Sequence, residues 1–431
     1  MPKVMPIRAL RYPAAGGADI SACIAPPYDV LDEGPKQALL KKDARNVVAV
    51  DLPVTPPKTV GPDQAYEEAG RLFRQWVDQG VLVRDEKPAF YAYEQSWDSD
   101  GLRRRRRGLF AAVGVEEFGR AGGGIHRHEK TIRSGTDDRL KLMEATEAQM
   151  SPVFSVYDDP KGRIAALTEA VYQRPADVTA RTDHDQVDHA LWVIENTQTI
   201  EAVADAFAER DLFIADGHHR YTTALNYSKA HPDKPLASTC LMVVVAQQDP
   251  GMIVLPTHRV LTGLVDFSMD RLGQILASGP FELTATDHGR EGLETLAESL
   301  PSSGPHAIGL YDPSSKKTYR LQCAEQDPGA DIFSDRPEVW RRLDVVVFHE
   351  WLVDRLLRPS FGGEAIAYKY PHKVEEVVSL AEAEPDRLGV LMQATPLESV
   401  IGVSLAGDVM PPKSTFFFPK LATGLVISPM V

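Results

Sequence analysis

The chain has 431 residues, with 47 lysines and arginines against 61 aspartates and glutamates, a formal charge of −14. That sign argues against a protein that coats nucleic acid, and the length argues against one small core, so two or three domains are expected. Three scattered cysteines, Cys23, Cys240 and Cys323, give neither a disulfide framework nor a C-x-x-C zinc pattern. No N-terminal leader and no apolar run of about 18 residues is visible, which predicts a cytoplasmic protein that does not enter the membrane.

The first 60 residues are rich in proline and glycine. Ile24-Ala-Pro-Pro-Tyr-Asp-Val-Leu31 reads as an extended turn, because each proline pushes the residue before it away from helix. Asp29 in that turn is a candidate site residue. Helical spacing follows over 62–79, with Ala65, Ala69, Leu72, Phe73 and Trp76 on one face. Strands are expected over 89–94 and 102–115, joined by the turn-rich residues 97–101. The run Arg103 to Arg107 reads as a solvated strand or loop with alternating faces.

A glycine-rich loop over 120–125 leads into His126-Arg-His-Glu-Lys-Thr131. Further along, helices are expected over 137–149, 163–172 and 199–209, and a strand over 153–157. The short apolar run 212–215 reads as a strand that ends at Asp216-Gly217, and helical spacing resumes from Tyr221. Strands at 238–246 and 252–255 come next. Short alternating elements over 260–337 follow, then helices near 345–357, 374–383 and 397–405 and a strand near 424–427. Three consecutive phenylalanines in the segment 410–420 must dock against something apolar.

Asp216-Gly-His-His-Arg220 carries the strongest chemical signal. A strand that feeds a helix through glycine leaves backbone N–H groups at the helix start, and the helix dipole there favours an anion. Gly217 permits close approach, His218, His219 and Arg220 add donors, and arginine can fork onto phosphate. Asp216 beside such a pocket makes sense with Mg²⁺ between carboxylate and phosphate. Glu129 is a candidate general base and His128 a neighbouring donor. A zinc site from His126, His128 and His218 or His219 is the weaker alternative, since the i, i+4 histidine pair is missing. Lys413, Ser414 and Thr415 form a third candidate group, able to hold a phosphate or carboxylate.

Together, Ile24-Ala-Pro-Pro-Tyr-Asp-Val30, His128-Glu-Lys-Thr131, Asp138-Arg-Leu140, Ala215 to Tyr221 and Met410-Pro-Pro-Lys-Ser-Thr415 identify the chain as a member of the family filed as domain of unknown function 1015. Three of these motifs, in the same order, also resemble those of the archaeal free-serine kinases. That second resemblance implies a mixed α/β, ParB/sulfiredoxin-like phosphate-binding core with additional N-terminal and C-terminal regions. The expected division is 1–110, a catalytic core over 111–245, and 246–431 with a last segment that returns to the active site.

The resemblance further implies phosphoryl transfer from ATP or ADP, with Mg²⁺, to a small hydroxyl compound such as L-serine. Glu129 would be the base and Asp216 would serve the metal or the acceptor hydroxyl, with His219 also catalytic. His128, Gly217, His218, His219 and Arg220 would hold the phosphates, and Lys413, Ser414, Thr415 and Asp29 the acceptor. No nucleic-acid or membrane partner is expected, and the region 245–340 fits either a lid or the surface of a homodimer. The competing readings are a nucleotide-switched DNA-binding protein, a nucleotide sensor without turnover, and a sulfiredoxin-like reductase. The last needs a cysteine where this chain has His218.

Overall fold

The computed structural model describes residues 1–13, 18–99, 101–119, 124–277 and 279–431. Most of the glycine-rich loop expected at 120–125, and Asp100 of the turn before it, lie outside these residues. The fold is mixed α/β, in two compact units: one comprises Met1–Ile253 and Pro419–Val431, the other Val254–Phe418.

The first unit is built on a nine-stranded mixed sheet. Its strands are β1 (Val4–Met5), β2 (Phe90–Ser99), β3 (Leu102–Gly114), β4 (Ile125–His126), β5 (Val153–Tyr157), β6 (Val178–Thr182), β7 (Val187–Ile194), β8 (Leu212–Asp216) and β9 (Thr239–Ala246). They run in the order β4-β8-β5-β9-β3-β2-β7-β6, with β1 beside β3. The expected division at residue 110 falls inside β3, which is hydrogen-bonded to both β2 and β9. A strand central to one sheet cannot be shared between two domains, so the N-terminal region and the expected core are one body.

One face of this sheet is apolar. Leu109, Ala111 and Val113 alternate inward from β3 and meet Val153 and Tyr157, Leu212 and Ile214, and Met242 and Val244. Ile164, Val203, Ala206, Phe207, Tyr221 and Ala224 cover them from α4 (Arg163–Thr168), α5 (Thr197–Phe207) and α6 (His218–Ala230). Three earlier helices of this unit are α1 (Glu33–Lys42), α2 (Asp63–Asp78) and α3 (Arg133–Thr146). In α2 the spacing of buried Tyr66, Ala69, Phe73 and Trp76 is that of one helical face. Gly70 is required there: a Cβ would come within 2.2 Å of the Ala145 carbonyl oxygen of α3. Helix α1 has no buried residue, so no apolar stripe announces it in the sequence.

The segment Pro419–Val431 joins this unit through short pairings. Thr423 bridges to Ala25, Ile427 to Leu10, and Ser428–Pro429 pair with Ala148–Gln149. The strand expected at 424–427 is thus shifted to 428–429, with a single bridge at Ile427.

The second unit carries a six-stranded antiparallel sheet. In chain order its strands are β10 (Arg259–Thr262), β11 (Phe281–Thr286), β12 (Ile308–Asp312), β13 (Lys317–Cys323), β14 (Ala367–Lys369) and β15 (Leu388–Leu391), arranged β11-β13-β12-β15-β10-β14. Helices Leu293–Ser299 and Val374–Glu382 pack their apolar residues on Val260, Tyr311 and Leu391. The helix expected near 345–357 is α-helical over Asp344–Val346 and π-helical over Val347–Leu357. No helix among the described residues is long and apolar enough to cross a membrane.

Candidate functional site

The site begins with a defect in β8. Phe213 pairs with Val156 and Ile214 with Ser155, but Asp216, not Ala215, pairs with Phe154. The extra residue is a β-bulge, and it changes which face the next side chain occupies. Paired residues share a face, so Ile214 stays on the apolar, helix-covered side while Asp216 joins Phe154 on the other.

Gly217 then turns the chain into α6 with φ 93° and ψ 29°, a left-handed conformation that glycine adopts without strain. A Cβ here would also lie 3.0 Å from the Arg220 guanidinium. Glycine therefore lets that side chain fold back beneath the turn. The first turn of α6 has no side-chain cap, so the positive end of the helix dipole faces the site.

Two cations meet the Asp216 carboxylate. Arg220 Nη2 donates to Oδ2 at 2.8 Å, and Lys420 Nζ donates to Oδ1 at 2.7 Å. Burial alone would push the Asp216 carboxyl up, but Lys420 and Arg220 outweigh it and hold it well below the ordinary range. Arg220 also donates to the Pro152 carbonyl and is 8% exposed. Both arms of the fork expected to grip phosphate thus have protein acceptors. Asp29 lies near enough for Asp216 to push its carboxyl up, as burial also does. Lys58, at 3.3 Å, with Arg220 and Lys420, brings the net shift below the ordinary value.

Lys420 was not legible as a site residue. It lies 204 residues from Asp216 and belongs to the strap that begins at Pro419. Two side chains of the central strands fix that strap: Gln95 donates to the Lys420 carbonyl at 2.8 Å, and buried Arg106 donates to the Pro419 carbonyl. Arg106 also lies over the Phe154 ring at 4.5 Å. The arginine run is a strand with alternating faces, as expected, but it is not wholly solvated, since Arg106 is 2% exposed.

The His-Glu segment comes to the start of α6. His218 Nδ1 lies 3.7 Å from Glu129 Oε2, and His218 Nε2 accepts the His128 N–H at 3.4 Å. Burial pushes the His218 imidazole well below its usual range, so it is neutral near pH 7. With Nε2 accepting, the ring proton sits on Nδ1 and faces the Glu129 carboxylate. His128 stacks edge-on against His218 at 4.6 Å, and burial lowers its imidazole to about 4. His219 faces elsewhere: its Nε2 accepts the Ile132 N–H at 3.0 Å, which fixes the segment leading into α3.

The described residues contain no group of three or more His, Cys, Asp or Glu side chains able to hold a metal ion by themselves. That leaves no place for the zinc alternative. Asp216 and its neighbour Asp29 still fit the smaller demand of magnesium, one or two carboxylates with phosphate oxygens and water supplying the rest. The structure therefore brings Asp29, His128, Glu129, Asp216, Gly217, His218, His219 and Arg220 into one unit. Lys413, Ser414 and Thr415 belong to the other, where Lys413 has a left-handed φ of 58°. Ser414 donates to the Pro411 carbonyl at 2.6 Å, and Arg259 binds the Lys413 carbonyl at 2.9 Å.

No curated protein matches the chain. Among solved structures, a free serine kinase in complex with ADP is 11% identical, with 68% of this chain and 84% of that chain covered and a TM-score of 0.33. SbnI with a C-terminal truncation, from Staphylococcus aureus, is 12% identical over 74% of this chain and 87% of its own, with a TM-score of 0.36. A conserved hypothetical protein from Pyrococcus furiosus is 13% identical over 69% and 89%, with a TM-score of 0.32. A family model described as protein of unknown function, DUF1015, matches residues 4–346, and the chain belongs to that family.

Proposed function

We propose that the protein is a small-molecule phosphotransferase that moves a phosphoryl group from ATP or ADP to a hydroxyl acceptor, with free L-serine the favoured acceptor. On this reading the part of the first unit around the Asp216 turn is its ParB/sulfiredoxin-like core. The observation that carries the proposal is the meeting of Glu129 with the start of α6 through His218, at 3.7 Å, beside the paired cations on Asp216. A candidate base and a cation-rich anion cradle then share one site.

Phosphoryl transfer depends on alignment and charge neutralisation more than on covalent help. Arg220 and Lys420 neutralise Asp216 in the free protein and are the donors that would turn to phosphate oxygens. Asp216 and Asp29 would hold a magnesium ion, which supplies further neutralisation of phosphate charge when bound. Glu129, 40% exposed on its side chain, would take the acceptor's hydroxyl proton as oxygen attacks phosphorus. The Nδ1–H of His218 faces that carboxylate across 3.7 Å. His128, held neutral, adds no cation that would pair with the base.

Incubation with ATP or ADP, Mg²⁺ and a panel of free amino acids and sugars, followed by phosphorus NMR, tests the reading. O-phosphoserine is the expected product, and the absence of any phosphorylated small molecule would overturn the assignment. Glu129→Gln is expected to bind nucleotide within about twofold of the unaltered protein while turnover falls at least 100-fold, as loss of a general base requires. Unchanged turnover would remove Glu129 from the reaction.

A further inference from the structure

A cavity of about 310 Å³ opens on the opposite face of the sheet from Asp216. Its wall includes Tyr157, at the far end of β5 from Phe154, the partner of Asp216. The two stand three positions apart on the strand, roughly 10 Å. Leu109, Val244 and Ala246 form an apolar floor, and Ile164 and Ala165 of α4 face them. The volume is at the lower end of that of small-molecule sites, about 300–1,000 Å³.

The polar groups around this floor divide into committed and uncommitted ones. Arg107 is committed: it binds Glu94 at 2.7 Å and Glu169 at 3.0 Å and lies 4.0 Å over the Tyr172 ring. Asp159 is committed too: it accepts the N–H groups of Arg163 and Ile164 at the start of α4 and pairs with Arg210 at 3.8 Å. Asp249 accepts the backbone N–H groups of Arg107 at 3.1 Å and Gly251 at 2.8 Å. It has no cationic side chain in ion-pair contact among the described residues, and burial pushes its carboxyl up. Arg105, two residues along β3 on the same face as Arg107, is exposed at the rim. It has no carboxylate partner among the described residues. Nor do the Tyr157 and Tyr172 hydroxyls have a hydrogen-bond partner there.

One carboxylate and one guanidinium beside an apolar floor complement a zwitterion with an apolar side chain. We infer that this cavity binds a free α-amino acid with a branched or aromatic side chain, its ammonium at Asp249, its carboxylate at Arg105 and its side chain on Leu109, Val244 and Ala246. The site lies on the other sheet face from the Asp216 turn and does not depend on the chemistry proposed there.

Titration calorimetry on the full chain with L-leucine tests this. The expected result is saturable binding, at least tenfold weaker for glycine, for N-acetyl-L-leucine and for L-leucinamide. Arg105→Ala should weaken L-leucine about tenfold and leave L-leucinamide unchanged. Asp249→Asn should weaken L-leucine and leave N-acetyl-L-leucine unchanged. Asp216→Asn, on the far face, should bind L-leucine like the unaltered protein. The proposal is overturned if L-leucine shows no saturable binding, if glycine binds as well, if Arg105→Ala weakens leucinamide equally, or if Asp216→Asn abolishes L-leucine binding. Arg105 is a surface residue, so its variant gives a reading even where Asp249→Asn unfolds.

Discussion

Lys420 shows how much one side chain decides at this site. It carries one of the two cations that hold Asp216 ionised against burial. Lys420→Met should raise the Asp216 pKa and, on the proposed function, weaken nucleotide binding tenfold or more, about 1.4 kcal/mol. Calorimetric titration with ADP measures the affinity, and an unchanged value would exclude Lys420 from the phosphate cradle. Gly217→Ala combines a left-handed backbone with a Cβ 3.0 Å from the Arg220 guanidinium. A loss of about 1–2 kcal/mol in unfolding free energy is expected from the backbone alone, read by urea denaturation. The predictive value of the motif differs by residue. Gly217 stands at the strand–glycine–helix turn that the sequence predicts. Lys420 has no local signature: a lysine after Phe-Phe-Phe-Pro reads as ordinary surface until its distant carboxylate is known.

At the scale of elements, the sequence pattern served where periodicity was strong. Helix α2, expected over 62–79, spans Asp63–Asp78, and β5 falls on the expected 153–157. Helix α1 escaped because it buries nothing, so no apolar stripe marks it. The bulge in β8 escaped for another reason: it is a property of the register between two strands, and residues 212–216 carry no trace of how β5 lies beside them. The clamp on the strap is equally non-local. Arg106→Met keeps length and apolar bulk while removing the bonds to Gln95 and the Pro419 carbonyl. The buried Gln95 and Pro419 oxygens are then left without that donor, at a cost of about 1–3 kcal/mol each. The expected outcome is a lowered melting temperature, with ADP affinity of the still-folded protein reduced in the direction of Lys420→Met. If ADP affinity stays unchanged, the strap does not depend on Arg106 to place Lys420.

For the whole molecule, buried histidines set the response to acid. Burial lowers His128 from its ordinary 6.5 to about 4, and likewise lowers His189 and His218 in the first unit and His258 and His349 in the second. Between about pH 6.5 and 4 the unfolded chain binds protons at these positions and the folded chain does not, so stability falls as pH falls through that window. His128 alone accounts for about 3 kcal/mol across it. Asp216 and Asp29, held low, add their loss only at more acid pH, below the ordinary carboxylate value. Urea midpoints measured at pH 7 and pH 5 should drop clearly toward pH 5, and equal midpoints would show that these imidazoles can ionise in place. At this scale the limits of the compact units follow sheet membership, and β3 runs across residue 110 inside one of them.

The first unit is discontinuous: residues 419–431 belong to it, yet 254–418 lie between. A ribosome makes the entire second unit before it makes Lys420. Newly made chains that already contain Glu129, Asp216 and Arg220 therefore wait through more than 150 further codons, counting 254–418, before the second cation on Asp216 exists. A transcript cut short anywhere in that interval yields a protein with every motif of the Asp216 turn and no strap to complete it.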